Sequence, residues 1–120
     1  MSTDKYHQIT ANTSAHLAKL RADTPDTMRG FSALAMAATR PGALDKKTKE
    51  LIAMALSVAS RCDPCLGYHA EALVKLGATR AEFEEMLGMC VYMGGGPSLM
   101  YAANALQAYE EFGGEQAAGS

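Results

Sequence analysis

Apolar residues in this chain recur three and four apart, and no stretch alternates with period two, so the pattern predicts helices and no strands. A first helix is expected over residues 5–21, where Ile9, Leu17 and Leu20 form a thin stripe among small and polar residues. A second should begin at Thr24-Pro25, with Thr24 as cap and Pro25 in the first turn, where no backbone N–H is needed. It runs through Phe31, Leu34 and Met36 and stops before Pro41-Gly42.

A third helix is expected from Asp45 to Ser60. Asp45 is a good N-cap, and from Leu51 to Ala59 apolar residues surround the axis, which predicts a buried central helix. The fourth starts at Cys62-Asp63-Pro64-Cys65, with Asp63 as the expected cap. Leu66, Ala70, Leu73 and Leu76 line its apolar face, and Gly77 ends it. Thr79-Arg80-Ala81-Glu82 is a capping-box pattern. It opens a fifth helix with Phe83, Met86, Leu87, Cys90 and Val91 at helical spacing. Gly94-Gly95-Gly96-Pro97 breaks the chain, and a sixth helix follows to Phe112. Residues 113–120 read as a frayed tail. The expectation is one all-α domain over residues 1–112, a compact bundle of five to six short helices.

Composition narrows the function. The 120 residues hold 11 Lys and Arg against 13 Asp and Glu, so the basic footprint of a nucleic-acid binder is missing. Leu51–Ala59 is the longest apolar run and is far short of the ~20 residues a membrane span needs. The opening Met-Ser-Thr-Asp-Lys has no apolar signal region, so a cytoplasmic location is expected.

Three cysteines are too few for a disulfide framework, which leaves redox or metal chemistry, or inert buried thiols, for Cys62 and Cys65. A helix N-terminus favours a thiolate through its unpaired N–H groups and dipole. His69, four residues after Cys65, shares its helical face and is placed to take the thiol proton. Asp63 opposes thiolate formation slightly by its charge. A zinc site would use Cys62, Cys65 and His69, but no second Cys-x-x-Cys or His pair supplies the rest. The balance favours redox chemistry, with no metal and no cofactor.

Glu50 is the fourth candidate. Helical rise puts it about 17 Å from the Cys62 end, so it belongs with His69 if the next helix folds back antiparallel. The competing reading is a first-turn glutamate facing water. Cys90 reads as a buried structural thiol. His7 and His16 read as surface residues, Gly94–Gly96 as a plain turn, and Met86, Met89 and Met93 as core or interface filler. Tyr68 is a candidate pocket residue.

The combination Glu50, Cys62-x-x-Cys65 and His69 resembles the alkylhydroperoxidase D-like core of the carboxymuconolactone decarboxylase superfamily, over roughly residues 30–110. The resemblance implies an all-helical fold assembled as trimers or hexamers. It implies a dithiol–disulfide cycle that reduces a hydroperoxide or another disulfide, renewed by a thioredoxin-like or lipoyl-type reductant. Under it Cys65 attacks peroxide, Cys62 resolves, and Glu50 and His69 relay protons. One departure is Pro64, which stands where the peroxidase members carry a relay histidine, and this weakens the peroxidase expectation more than thiol–disulfide exchange. The alternative on the same fold is a carboxymuconolactone decarboxylase-type lyase using Glu50 and His69 alone.

Overall fold

The computed structural model describes residues 4–117. The chain's opening residues and residues 118–120 of the expected tail lie outside them. Six helices and no strand make up the described residues. In chain order they are α1 Lys5–Asp23, α2 Pro25–Thr39, α3 Lys46–Ala59, α4 Asp63–Lys75, α5 Arg80–Gly94 and α6 Gly96–Glu111. The fold is all-α, as the periodicity predicts, and no helix is long and apolar enough to cross a membrane.

Helices α3, α4, α5 and α6 form the core, and α1 lies across α4. Met54 and Val58 of α3, Leu66 and Leu73 of α4, Phe83 of α5 and Tyr109 of α6 are fully buried and meet in one cluster. Phe83 and Tyr109 stack with centroids 4.6 Å apart. The Tyr109 hydroxyl donates to the Ala78 carbonyl at 2.8 Å, which satisfies its buried polar end.

Several local signals hold. Asp45 accepts from the Thr48 N–H at 2.7 Å. Thr79 and Glu82 form the reciprocal capping box. Gly77 adopts φ +78° just past α4. Gly95, with φ +70°, supplies the turn between α5 and α6.

Other expectations need correction. Thr24 stands at the N-cap position of α2, but its hydroxyl makes no capping bond and donates to the Leu20 carbonyl instead. The cap of α4 is Cys62, whose sulfur accepts from the Cys65 N–H, while Asp63 is already inside the helix. Helix α3 is not buried all round, since Ile52 and Leu56 are 45% and 62% exposed. Helix α1 is anchored by Tyr6 and Thr10, its buried residues, whereas Leu20 of the expected stripe is exposed. Helix α2 buries none of its residues. The segment read as a tail is tethered over its first residues. Glu115 accepts from the Arg80 N–H at 2.9 Å, and its own N–H donates to the Tyr109 hydroxyl.

Two local features fix how α4 sits. Helix α1 packs tightly against α4 at Gly67, where a Cβ would lie 2.5 Å from Thr10 Cγ2 and 3.6 Å from the Tyr6 carbonyl oxygen. Gly67→Ala is therefore expected to push the two helices apart and to cost about 1–3 kcal/mol in urea unfolding, as overpacked sites do. The second feature is the end of α3. Cys62 N–H donates to the Ser57 carbonyl and Arg61 N–H to the Val58 carbonyl, the pairing that closes a helix on a left-handed residue. Helix α4 closes the same way on Gly77. At the end of α3 the left-handed residue is Arg61, with φ +56°. Arg61→Gly is expected to relieve about 1 kcal/mol of that conformational cost, read as a raised unfolding midpoint.

Candidate functional site

The link from Arg61 into α4 sets the site. Because α3 closes on Arg61, the chain reverses at once and α4 packs antiparallel along α3. Cys62 and Cys65 lie at the first turn of α4, both half-buried, and are joined as a disulfide with Cα atoms 5.2 Å apart. The Cys65 N–H points at Cys62 Sγ, 3.3 Å away. That N–H is one of the donors a helix N-terminus leaves free, so it favours negative charge on the Cys62 sulfur when the pair is reduced.

One turn further along α4, His69 Nδ1 meets Glu50 Oε1 at 2.8 Å. Glu50 is 7% exposed and is not the solvated first-turn glutamate of the competing reading. The antiparallel packing brings the carboxylate into direct contact with the ring, with no water needed between them. A buried carboxylate needs such a partner, because leaving it unpaired is costly. The contact also fixes the ring. With Nδ1–H directed at the carboxylate, the lone pair of neutral His69 sits on Nε2, the nitrogen turned away from Glu50. The His69 side chain is 32% exposed, so the ring bridges a buried acid and the surface.

The structure thus brings Glu50 and His69 together, and places Cys65 four residues before His69 on the same helix. Tyr68 does not join them. Its hydroxyl donates to the Thr10 carbonyl at 3.0 Å and meets Ser14 Oγ at 2.5 Å, which ties α4 to α1. Tyr6 was not foreseen. Its phenol donates to Asp63 Oδ1 at 2.9 Å, on the residue that follows Cys62 in the chain. No sequence signal marks that contact, since the two residues are 57 positions apart. Lys47 and Lys49 hold neighbours in place. Lys47 Nζ pairs with Glu82 at 2.8 Å, and Lys49 Nζ donates to the Ala38 and Arg40 carbonyls.

Cys90 is the free cysteine and is buried. Desolvation pushes its thiol above the usual cysteine range, which makes it a poor nucleophile. It borders an apolar cavity of ≈ 320 Å³ between α3, α5 and the start of α6, lined by Ala55, Leu56, Ala59, Met89 and Met93 among others. None of Glu50, Cys62, Cys65 and His69 lines it. Among the described residues no group of three or more His, Cys, Asp and Glu is arranged to hold a metal ion.

Comparison with known proteins gives a consistent set of relatives. The model of the carboxymuconolactone decarboxylase family matches residues 25–108. A solved carboxymuconolactone decarboxylase family protein of Legionella pneumophila, in its apo form, is 64% identical, with a TM-score of 0.90 over 92% of this chain and 98% of its own. One from Thermotoga maritima, for which a part in the antioxidative response has been suggested, is 31% identical, with a TM-score of 0.76 over 85% of this chain and 87% of its own. An uncharacterized protein of Cupriavidus necator is 41% identical over 72% of this chain and 76% of its own length.

Proposed function

Because this chain belongs to the carboxymuconolactone decarboxylase family, we propose that it is a thiol–disulfide oxidoreductase whose working pair is Cys62 and Cys65. The observation that carries the reading is the cysteine pair at the N-terminus of α4 with His69 one turn on, held by the buried Glu50. His69 Nε2 takes the Cys65 proton, and Glu50 steadies the imidazolium that results. The Cys65 thiolate attacks the terminal oxygen of a hydroperoxide, breaks the O–O bond, releases the alcohol and becomes a sulfenic acid. The Cys62 thiolate then attacks the Cys65 sulfur, expels water and closes the disulfide. An external dithiol of thioredoxin-like or lipoyl type returns two electrons and two protons. The antioxidative role suggested for the Thermotoga maritima relative points the same way. Pro64, which has no proton to give, favours disulfide substrates over hydroperoxides.

Thiol counting tests this. One equivalent of alkyl hydroperoxide added to the reduced, metal-free protein is expected to remove two thiols per chain and leave Cys90 untouched. Three thiols that survive peroxide and an oxidised dithiol alike would overturn the reading.

The working form is an assembly of identical chains, a trimer or hexamer. Phe31, Leu34 and Met36 of α2 and Met89, Tyr92 and Met93 of α5 are each more than half exposed. Helix α2 touches α1 and α3 but has no fully buried residue, and Phe31, Leu34 and Met36 face outward. Apolar surface of this extent marks an interaction face. Sedimentation of the full chain at micromolar concentration is expected to give a trimer or hexamer, and a monomer would refute the assembly.

A further inference from the structure

Asp63 is the fixed anion next to Cys62 in the chain, and what holds it comes from the far end of the sequence. Tyr6 is fully buried, and its phenol donates to Asp63 Oδ1 at 2.9 Å. The tyrosine is itself pinned. Its N–H donates to Glu111 Oε1 at 2.6 Å, and its carbonyl accepts from Thr10 Oγ1 at 3.0 Å. Burial and the hydroxyl bond to Asp63 hold the ring, while these backbone bonds hold its stem. Burial, reinforced by the Asp63 hydrogen bond, raises the phenol's pKa well above that of an ordinary tyrosine, so it keeps its proton and stays a donor.

We propose that Tyr6 is a positioning residue that sets the dithiol–disulfide balance of Cys62 and Cys65 by holding the Asp63 carboxylate. The inference rests on the redox role proposed for that pair. A bare carboxylate beside Cys62 would oppose negative charge on that sulfur and so disfavour the reduced pair. A donated hydrogen bond spreads the carboxylate's charge and fixes it toward α1. The Cys65 N–H is then left to favour charge on Cys62 Sγ with less opposition.

The test is equilibration of the full chain with glutathione buffers, read by mass after thiol labelling. Two glutathione thiols give two electrons and two protons to the Cys62–Cys65 disulfide, yielding glutathione disulfide and two protein thiols. Tyr6→Phe is expected to shift the equilibrium about fivefold toward the protein disulfide, a potential about 20 mV more negative. Asp63→Asn is expected to shift it in the opposite direction. In an Asp63→Asn background, Tyr6→Phe should move the equilibrium less than about twofold, because the carboxylate it acts through is gone. Melting temperatures run beside these, since a purely structural tyrosine lowers stability in both backgrounds without moving the potential. An Asp63→Asn shift toward the disulfide overturns the inference whether or not Tyr6→Phe folds.

A native protein that cycles reversibly while Tyr6→Phe leaves the potential in place overturns the inference and spares the redox reading. So does an equal Tyr6→Phe shift in both backgrounds, or an Asp63→Asn shift toward the disulfide. A native pair that never cycles overturns both.

Discussion

Cys65→Ser is expected to lower hydroperoxide or disulfide turnover by about 10³-fold or more, the scale seen when a nucleophile is removed. The serine oxygen is close in size to the sulfur, and Cys65 is half-buried at a helix start, so the fold should survive. Cys62 alone cannot close the disulfide, and Cys90 cannot stand in as the second thiol. Cys90 is buried, its sulfur lies 3.5 Å from the Met86 carbonyl, and desolvation holds it protonated. Cys90→Ser is accordingly the control, with turnover expected to stay near that of the native protein. The assay follows loss of substrate with a dithiol reductant in excess. Full reductase turnover in Cys65→Ser would sink the thiol mechanism. A Cys62→Ser/Cys65→Ser variant that decarboxylates a lactone acid as fast as the native protein would establish the lyase alternative, with Glu50 and His69 as its centre.

Glu50→Gln is expected to slow oxidation of the reduced pair by about 100-fold, the lower end of what a positioned acid–base group contributes. Glutamine keeps the shape but loses the charge that holds the His69 Nδ1 proton and stabilises the imidazolium. His69→Asn removes the base itself and should cost at least as much. Since the two side chains act as one unit, the double variant is expected to be no slower than His69→Asn alone. Stopped-flow measurement of thiol loss checks this, with thermal melts confirming that each variant is folded. Additive losses would mean that Glu50 acts on something other than His69. Removing the histidine while the carboxylate stays buried, as in His69→Ala, should also destabilise the protein, because Glu50 is then left without its partner.

Much of this arrangement was legible in the residue pattern. Local signals act within a few residues, so the Thr79–Glu82 box, the Asp45 cap and the Gly77 stop are where the sequence puts them. The misread caps failed for a local reason too. At Cys62 the sulfur takes the N–H that Asp63 was expected to take, and Asp63 is free to serve Tyr6. Helix α2 is a different case. Its apolar pattern is real, but a pattern says only that a face wants burial, not whether the same chain supplies the cover.

By itself, then, the sequence determined the helix class, the helix limits to within two or three residues, and the chemistry available at Cys62, Cys65 and His69. Each of these depends on neighbours a few positions apart. Only the tertiary structure decided that Glu50 is buried against His69, that Tyr6 holds Asp63 between the two cysteines of the motif, and which side of α3 stays outside. Those outcomes depend on how helices cross. Crossing is set by contacts such as Gly67 against Thr10, between residues 57 positions apart, which no local pattern encodes.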